Sequence, residues 1–228
     1  MAPDHWEAVL EGITAMRARR DAAVDTMGTE VLGDRSADPK TFRFQTLVAV
    51  MLSSQTKDEQ TAAAMGRLKQ YGLTVASMIE ISDEALGKLL YGVGFHNKKI
   101  QYIKQTARIL RDEFDGDVPA SLEQLCDLPG VGPKMALIAL NVGRGVVAGI
   151  SIDTHAHRIA DRLGWTRAAR DPEATRLQLE AWVPREHWSS LNLLLVGFGQ
   201  QVCQPQQPKC AQCTVSHLCP VGRKTVKL

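Results

Sequence analysis

The sequence predicts an all-α protein. Apolar residues recur at helical spacing along most of the 228-residue chain, and no stretch shows a sustained alternation of polar and apolar residues. Short connectors such as "GFHN" and "DGDVPAS" separate the periodic segments. About ten helices are expected, and the segment "VVAGISI" at residues 146–152 is the one plausible strand.

The first half of the chain carries four helical segments. An N-terminal helix is indicated by apolar residues at helical spacing, which are Trp6, Val9, Leu10, Ile13 and Met16. The segment "TFRFQTLVAVMLSSQ" is apolar nearly all round and predicts a central buried helix. Ser82 is expected to cap the helix "DEALGKLLYGVG", which glycines end, and "KKIQYIKQTARILRDEF" is strongly amphipathic.

The second half begins with a short helix that ends near Pro129. Ser121 followed by Gln124 fits a capping box at the start of this helix. Apolar helices are then expected at about 133–142, 154–163, 172–182 and 186–200.

Composition and charge limit the class of protein only broadly. A hydrophobic content of 44% with 23% charged residues is ordinary for a globular chain, and a net charge of +2 is too small to indicate a nucleic-acid partner. The N-terminus lacks the apolar core of a signal peptide, and no run of about 18 apolar residues occurs. A cytoplasmic protein with no membrane partner is therefore expected.

Four cysteines are the strongest chemical signal. Cys203, Cys210, Cys213 and Cys219 follow the pattern C-x6-C-x2-C-x5-C. Thiolates at this density favour zinc or an iron–sulfur cluster, and two disulfides fit poorly with the absence of an export signal. Zinc ribbons usually have two Cys-x2-Cys hooks, whereas this segment has one, so the spacing favours a [4Fe–4S] cluster over zinc. Cys126 has no nearby cysteine and is expected to be a small core residue.

The segment "LPGVGPKMA" at residues 128–136 combines a glycine turn with a lone lysine. Gly130 and Gly132 allow a tight turn whose backbone N–H groups, at the start of the next helix, can bind a DNA phosphate. Lys134 follows at a point where the helix dipole and an apolar helix both disfavour a positive charge. The residue is either an amine nucleophile or a cation that pairs with a phosphate.

Asp153 lies nineteen residues after this lysine, in "GISIDTHAHRIADRLG". An aspartate directly before a helix is commonly an N-cap.

Taken together, these motifs resemble the endonuclease III family of DNA glycosylase/AP lyases. The resemblance covers essentially the whole chain and rests on "MLSSQTKDEQTAAAM", "GFHNKKIQYIKQTARIL", "LPGVGPKMA", "IDTHAH", "LLVGFGQQVC" and the cysteine segment. It implies a two-domain helix-hairpin-helix fold with a six-helix barrel domain at 36–147. A discontinuous [4Fe–4S] cluster domain at 1–35 and 148–228 is implied as well, with its cluster loop at 203–219. The active site would then lie in the cleft between the two domains.

The resemblance also implies roles for individual residues in base excision repair. Lys134 would attack C1′ of a damaged nucleotide and form a Schiff base, and β-elimination would break the strand 3′ to the abasic site. Asp153 would be the essential carboxylate. The substrate would be double-stranded DNA with an oxidised pyrimidine or an abasic site, bound by a monomer that is nucleoid-associated if the source is bacterial. The cysteine ligands of the [4Fe–4S] cluster would be Cys203, Cys210, Cys213 and Cys219.

Further DNA contacts follow from the same alignment. Gln55 would enter the space that a flipped nucleotide leaves, and Phe95 would act as an apolar wedge, although an aliphatic residue is the expected form there. Lys98 and Lys99 would bind phosphates, and His155 would lie beside Asp153 at the DNA. The structural alternatives are Gln55 as a helix cap, Phe95 as a core residue, the lysines as a solvated helix start and His155 as a packing or capping residue.

Two other functions compete with the glycosylase/lyase. The related adenine glycosylase has a serine-type residue at the hairpin position and a further C-terminal domain, whereas this chain has Lys134 and ends nine residues after Cys219. A non-catalytic helix-hairpin-helix DNA-binding protein would not need Lys134 and Asp153 together. The bifunctional glycosylase/lyase is therefore the favoured interpretation.

Overall fold

The computed structural model describes residues 2–226, and every regular element in this part of the chain is helical. The α-helices are α1 (Trp6–Met16), α2 (Ala23–Met27), α3 (Pro39–Ser53), α4 (Asp58–Tyr71), α5 (Val75–Glu80), α6 (Asp83–Leu89), α7 (His96–Glu113), α8 (Leu122–Cys126), α9 (Pro133–Arg144), α10 (Thr154–Arg162), α11 (Pro172–Glu180), α12 (Trp188–Gln201) and α13 (Pro220–Val226). Short 3-10 helices lie at Thr29–Val31, Arg185–His187 and Cys210–Gln212. The all-α prediction is confirmed.

The strand predicted at 146–152 is wrong. This segment has no regular structure, although Ile150 and Ile152 are buried as their apolar character suggested. The Ile150 N–H donates to the Glu180 side chain at 2.8 Å instead of to a neighbouring strand. An extended apolar segment can therefore pack into a helical core without joining a β-ladder.

The chain divides into two compact units. The central unit comprises Met27–Ala148, and the terminal unit joins the residues up to Thr26 to those from Gly149 onward. The domain boundaries implied by the resemblance, 36 and 147, stay predictions because compact packing does not by itself show which segments fold independently.

Helix α3 forms the middle of the central unit. All residues from Phe44 to Leu52 are buried, as expected for a helix that is apolar nearly all round. Helix α9 packs along α3, and α7 contacts α3, α5 and α6. Helix α8 packs on α9, so the segment that joins them is a hairpin held between two helices of the core.

The terminal unit is built around α10 and α12, which pack on each other. Ile13 from α1, Ile159 from α10 and Leu195 from α12 are fully buried in one cluster. Helix α1 contacts α12, and the buried Arg17 guanidinium at its end pairs with Asp25 and donates to Gln201 at 2.6 Å. These contacts connect the two ends of the chain that form this unit.

None of the helices within residues 2–226 combines the length and apolar character that a bilayer span requires.

Candidate active site and cysteine pocket

The hairpin between α8 and α9 exposes the start of a helix. Gly132 is the N-cap residue of α9, Pro133 is its first residue, and no side chain caps the free N–H groups of the first turn. A Cβ atom at Gly132 would meet nothing within 4 Å, so the space beside this backbone is open. Uncapped amides at the positive end of a helix dipole suit an anion such as a phosphate.

Gly130 has a different structural reason to be glycine. Its φ angle is +74°, in the left-handed region, and a Cβ atom would lie 2.4 Å from Cδ2 of Tyr102 on α7. The turn geometry and the aromatic ring beneath it both exclude a side chain. Gly130 therefore shapes the hairpin, whereas Gly132 leaves its surface accessible.

Lys134 is the second residue of α9 and is half-buried. The buried residues Ala136 and Leu137 follow it, as the apolar run predicted. Its ammonium makes no ion pair or hydrogen bond with any other residue of the described chain. The amine is thus not committed to the fold and is available for chemistry or for an external anion.

Asp153 is the N-cap residue of α10. Its Oδ1 accepts from the Ala156 N–H at 2.7 Å, and its own N–H donates to Asn192 Oδ1 at 3.3 Å. Within residues 2–226 its second oxygen, Oδ2, has no hydrogen-bond partner. The capping interpretation is therefore correct, and it leaves one carboxylate oxygen for another role.

Arg158 connects α10 to the first cysteine of the cluster loop. Its guanidinium donates to the Cys203 carbonyl at 3.0 Å and lies 3.4 Å from Nδ1 of His155. Burial lowers the pKa of Arg158 below its ordinary value. His155 is half-buried beside this arginine and Gly199 of α12, and its predicted DNA contact stays a prediction.

Gln55 and Phe95 occupy two exposed loops with unusual backbone geometry. Gln55 has φ +50°, lies between α3 and α4 and is exposed, and it caps neither helix because Lys57 is the N-cap residue of α4. Phe95 has φ +54°, precedes α7 and is 64% exposed, which excludes a core role. Both structural alternatives are wrong, and both side chains are presented to solvent.

Lys98 and Lys99 have opposite environments. Lys98 is exposed on the first turn of α7, and its phosphate contact stays a prediction. Lys99 is only 6% exposed, and its ammonium donates to the Leu52 carbonyl at 2.7 Å, the Ser54 carbonyl at 2.6 Å and Thr56 Oγ1 at 3.1 Å. Burial lowers the pKa of Lys99 to about 8. Because all three ammonium hydrogens have acceptors inside the protein, the predicted phosphate contact of Lys99 is corrected to a structural one.

The cysteines of the C-terminal loop line one pocket in the terminal unit. Cys203, Cys210, Cys213 and Cys219 form no disulfide and are half-buried around one pocket that Phe198 and Val202 also line. Two sulfurs accept hydrogen bonds at 3.4 Å, Cys203 from Arg162 Nη1 and Cys219 from the Gly222 N–H. Burial raises the pKa of the Cys203 and Cys213 thiols. Bound thiolates would therefore need compensation by a metal and by these donors.

The four thiols share a pocket but are not arranged as a metal-binding group. No group of three or more His, Cys, Asp or Glu side chains within the described chain is disposed to hold one metal ion. The four thiols nevertheless line one pocket, and N–H donors are directed at two of them. Cys126 is outside this pocket and packs, half-buried, against the core of the central unit.

Comparison with known proteins gives the family. Residues 48–185 match the model of the HhH-GPD superfamily of base excision DNA repair proteins. Endonuclease III-like protein 1 of Bos taurus is 54% identical over 222 residues, which are 97% of this chain and 73% of the relative. The chain belongs to the endonuclease III family. It is therefore a bifunctional DNA glycosylase and AP lyase of base excision repair, and it binds DNA.

A further relative and two solved structures support the same family assignment. The endonuclease III homolog of Schizosaccharomyces pombe is 46% identical over 227 residues, 97% of this chain and 63% of the relative. A structure of a trapped endonuclease III–DNA covalent intermediate matches with a TM-score of 0.83 and 28% identity over 96% of both chains. A non-covalent endonuclease III–DNA complex matches with a TM-score of 0.82 and 28% identity over 97% of both chains. The family carries a [4Fe–4S] cluster.

Sequence reasoning missed two residues that support this endonuclease III site. Asn192 holds the backbone of Asp153, and Thr56 accepts from both Lys99 and the Gly94 N–H. The sequence offered a clue to Asn192, which is a single amide within the apolar run of α12. A polar side chain buried there needs a hydrogen-bond partner. Thr56 had no such signal, since its partners are distant in sequence.

Proposed function

We propose that this enzyme excises oxidised pyrimidines from duplex DNA and cleaves the resulting abasic strand through a Schiff base on Lys134. The observation that carries the proposal is the Lys134 amine itself, which is half-buried, uncommitted to any described residue and placed directly after the helix-hairpin-helix turn. A lysine with a structural role would bond to other residues of the fold, and within residues 2–226 Lys134 does not.

The proposed reaction begins with the neutral Lys134 amine. Its lone pair attacks C1′ while the C1′–N bond to the base breaks, and the base leaves with the bonding electrons and takes up a proton. The attached amine loses a proton, its lone pair then forms the C1′=N bond of the Schiff base, and the C1′–O4′ bond breaks as the ring oxygen takes up a proton. Removal of a C2′ proton then expels the 3′ phosphate oxygen by β-elimination, which cleaves the strand on the 3′ side.

Asp153 is proposed to act through its uncapped oxygen. A carboxylate near the sugar stabilises the positive charge that develops as the base departs, and it can accept the proton from the attacking amine. The bond from Oδ1 to the Ala156 N–H fixes the direction of the carboxylate, so that reorientation is not needed during the reaction.

DNA binding is proposed to depend on local features. The hairpin amides at Gly130 and Gly132 would bind a phosphate, and Lys98 and His155 would make further contacts with the DNA. Gln55 and Phe95 would occupy the space of the flipped nucleotide and unstack its neighbour. A monomer is sufficient for this scheme, and a cytoplasmic or nucleoid-associated location stays a prediction.

Cys203, Cys210, Cys213 and Cys219 are proposed to hold the family's [4Fe–4S] cluster. Supporting observations are the common pocket, the absence of disulfides among these cysteines and the two N–H donors to sulfur. The cluster would supply structural crosslinking of the C-terminal loop. Such a cluster with four thiolates carries about −2, which would cancel the formal +2 of the chain, so DNA affinity must come from local basic groups.

The test uses borohydride, which reduces a Schiff base to a stable amine. Wild-type enzyme on a duplex with one oxidised pyrimidine should give a covalent protein–DNA adduct and a nicked strand. Lys134→Gln should give neither, while its affinity for the duplex should fall less than tenfold because the hairpin amides remain. A full yield of adduct from Lys134→Gln would contradict the proposal, and a panel of single-lesion duplexes would test the substrate class.

A further inference from the structure

The loops that carry Gln55 and Phe95 touch each other in the central unit. A Cβ atom at Gly94 would lie 2.4 Å from the Gln55 carbonyl oxygen, so only glycine permits this approach. The Gly94 N–H donates to Thr56 Oγ1 at 3.1 Å. Gln55 therefore takes part in the contact between the loops through its carbonyl, and Phe95 directly follows the glycine on the other side of it.

Both loops hold a non-glycine residue in the left-handed region. Gln55 has φ +50° and Phe95 has φ +54°. Such backbone is unfavourable for these residue types and persists only where surrounding contacts impose it. Neither residue caps a helix with its side chain, so their own side chains do not supply those contacts.

The contacts are supplied by the buried ammonium of Lys99. It projects from the first turns of α7, whose N-cap residue is Phe95, and the Lys99 N–H also donates to the Phe95 carbonyl at 3.2 Å. At its other end the ammonium binds the carbonyls of Leu52 and Ser54 where α3 ends, and also Thr56 Oγ1. One side chain thus joins the segment on either side of Gln55 to the helix that begins at Phe95.

We infer that Lys99 is a positioning residue that holds Gln55 and Phe95 in the backbone conformation needed for insertion into DNA. The inference rests on the proposed DNA role of these two side chains. Lysine is suited to the task because its three hydrogens point in three directions, whereas a planar guanidinium could not serve these three acceptors from the same position. The loops are then organised before DNA binds, so less ordering is required on binding.

The central test variant is Lys99→Met in the full chain, with Lys104→Met as the matched control. Lys104 lies on the same helix, is also buried, and donates to the Ile81 carbonyl at 2.6 Å and to Asp83, away from both loops. The probes are an undamaged duplex and a duplex that contains a stable abasic-site analogue opposite 2-aminopurine, whose fluorescence reports loss of stacking.

Wild type and Lys104→Met should prefer the abasic duplex by similar factors and should raise the 2-aminopurine fluorescence. Lys99→Met should lose at least tenfold of that preference and most of the fluorescence change. A loss of equal size on both duplexes, or behaviour equal to that of Lys104→Met, would overturn the inference, because a merely structural lysine would not affect discrimination selectively.

A second variant guards against loss of folding in Lys99→Met. Thr56→Val has nearly the same shape but removes the acceptor shared by Lys99 and the Gly94 N–H, and it should also reduce the preference for the abasic duplex. If Lys99→Met does not fold, an unchanged preference in Thr56→Val overturns the inference.

Gln55→Ala and Phe95→Ala separate this inference from the proposed function. If both weaken binding to the abasic duplex while folded Lys99→Met behaves as Lys104→Met, the loops insert but Lys99 does not position them. If neither alanine variant affects binding, the proposed insertion role fails, and the Lys99 inference fails with it. Borohydride trapping through Lys134 is independent of all these outcomes.

Discussion

At the scale of a single residue, the two carboxylate oxygens of Asp153 have different roles. Oδ1 caps α10 and Oδ2 has no partner within the described chain, so the helix start fixes the direction of the oxygen that we assign to catalysis. Lys134 has the opposite character, since nothing in the described structure holds its amine. A carboxylate fixed by a helix cap and an amine without a partner in the described chain suit the two roles, because charge stabilisation needs preorganisation and a nucleophile needs reach.

Asp153→Asn separates the cap from the charge. The amide retains an oxygen that can accept from the Ala156 N–H, so the unfolding free energy should change by no more than about 1 kcal/mol. Base excision should fall by several orders of magnitude because the developing positive charge loses its carboxylate. Single-turnover excision rates test the loss, and borohydride trapping on a preformed abasic site should be partly retained. Wild-type excision rates in Asp153→Asn would contradict the assigned role.

At the scale of elements, the two glycines of the helix-hairpin-helix turn, which are two residues apart, have separate functions. Gly130 is needed by the fold, because of its positive φ and the Tyr102 ring, and Gly132 is not. The apolar residues of α9 therefore fix the helix in the core, and the glycine turn before it leaves the N–H groups at the helix start accessible.

Alanine substitutions at these glycines should give different phenotypes. Gly130→Ala should lower the unfolding free energy by about 1–3 kcal/mol, since it meets both backbone strain and a ring contact. Gly132→Ala should change stability by no more than about 0.5 kcal/mol, yet it should weaken DNA binding by crowding the proposed phosphate site. Thermal melts and duplex titrations of the two variants provide the comparison. Equal stability losses in both variants would contradict the distinction.

Helices and their caps could be predicted from the sequence because they depend on adjacent residues. Side-chain contacts between distant segments could not. Ser82 and Asp153 were recognisable as caps because a cap depends on a few adjacent residues. Ser121 accepts from the Gln124 N–H as expected, but Gln124 accepts from the Ser121 hydroxyl and does not return a bond to its backbone. Lys99 was misassigned because two adjacent lysines at a helix start look solvated, and the carbonyls that bury one of them come from α3.

At the scale of the whole molecule, the segment that carries the four cysteines has little apolar packing of its own. Helix α13 and the 3-10 helix at Cys210–Gln212 contact each other, and four of the pocket residues are the cysteines themselves. Few buried apolar side chains lie between 203 and 219, where Val215 is the buried hydrophobic residue. The stability of this segment should therefore depend on what the thiols bind.

Purified protein should accordingly be yellow-brown, with iron and inorganic sulfide each near the four per chain of a [4Fe–4S] cluster. Cys210→Ser should lower both the colour and the yield of folded protein, because loss of a ligand also removes a crosslink of the loop. Cys126→Ser is the matched control, since Cys126 lies outside the pocket and its loss should leave the colour unchanged. Colourless, active protein with one zinc per chain would contradict the cluster.

The assignment of the nucleophile is tested most directly by locating the reduced adduct in the chain. Wild-type enzyme trapped by borohydride on an oxidised-pyrimidine duplex should be digested with nuclease and protease and examined by mass spectrometry. The remaining sugar should be attached to the peptide that contains Lys134, at the Lys134 side chain. Attachment at another lysine or at the N-terminal amine would contradict the central claim and would leave the segment "LPGVGPKMA" with a phosphate-binding role alone.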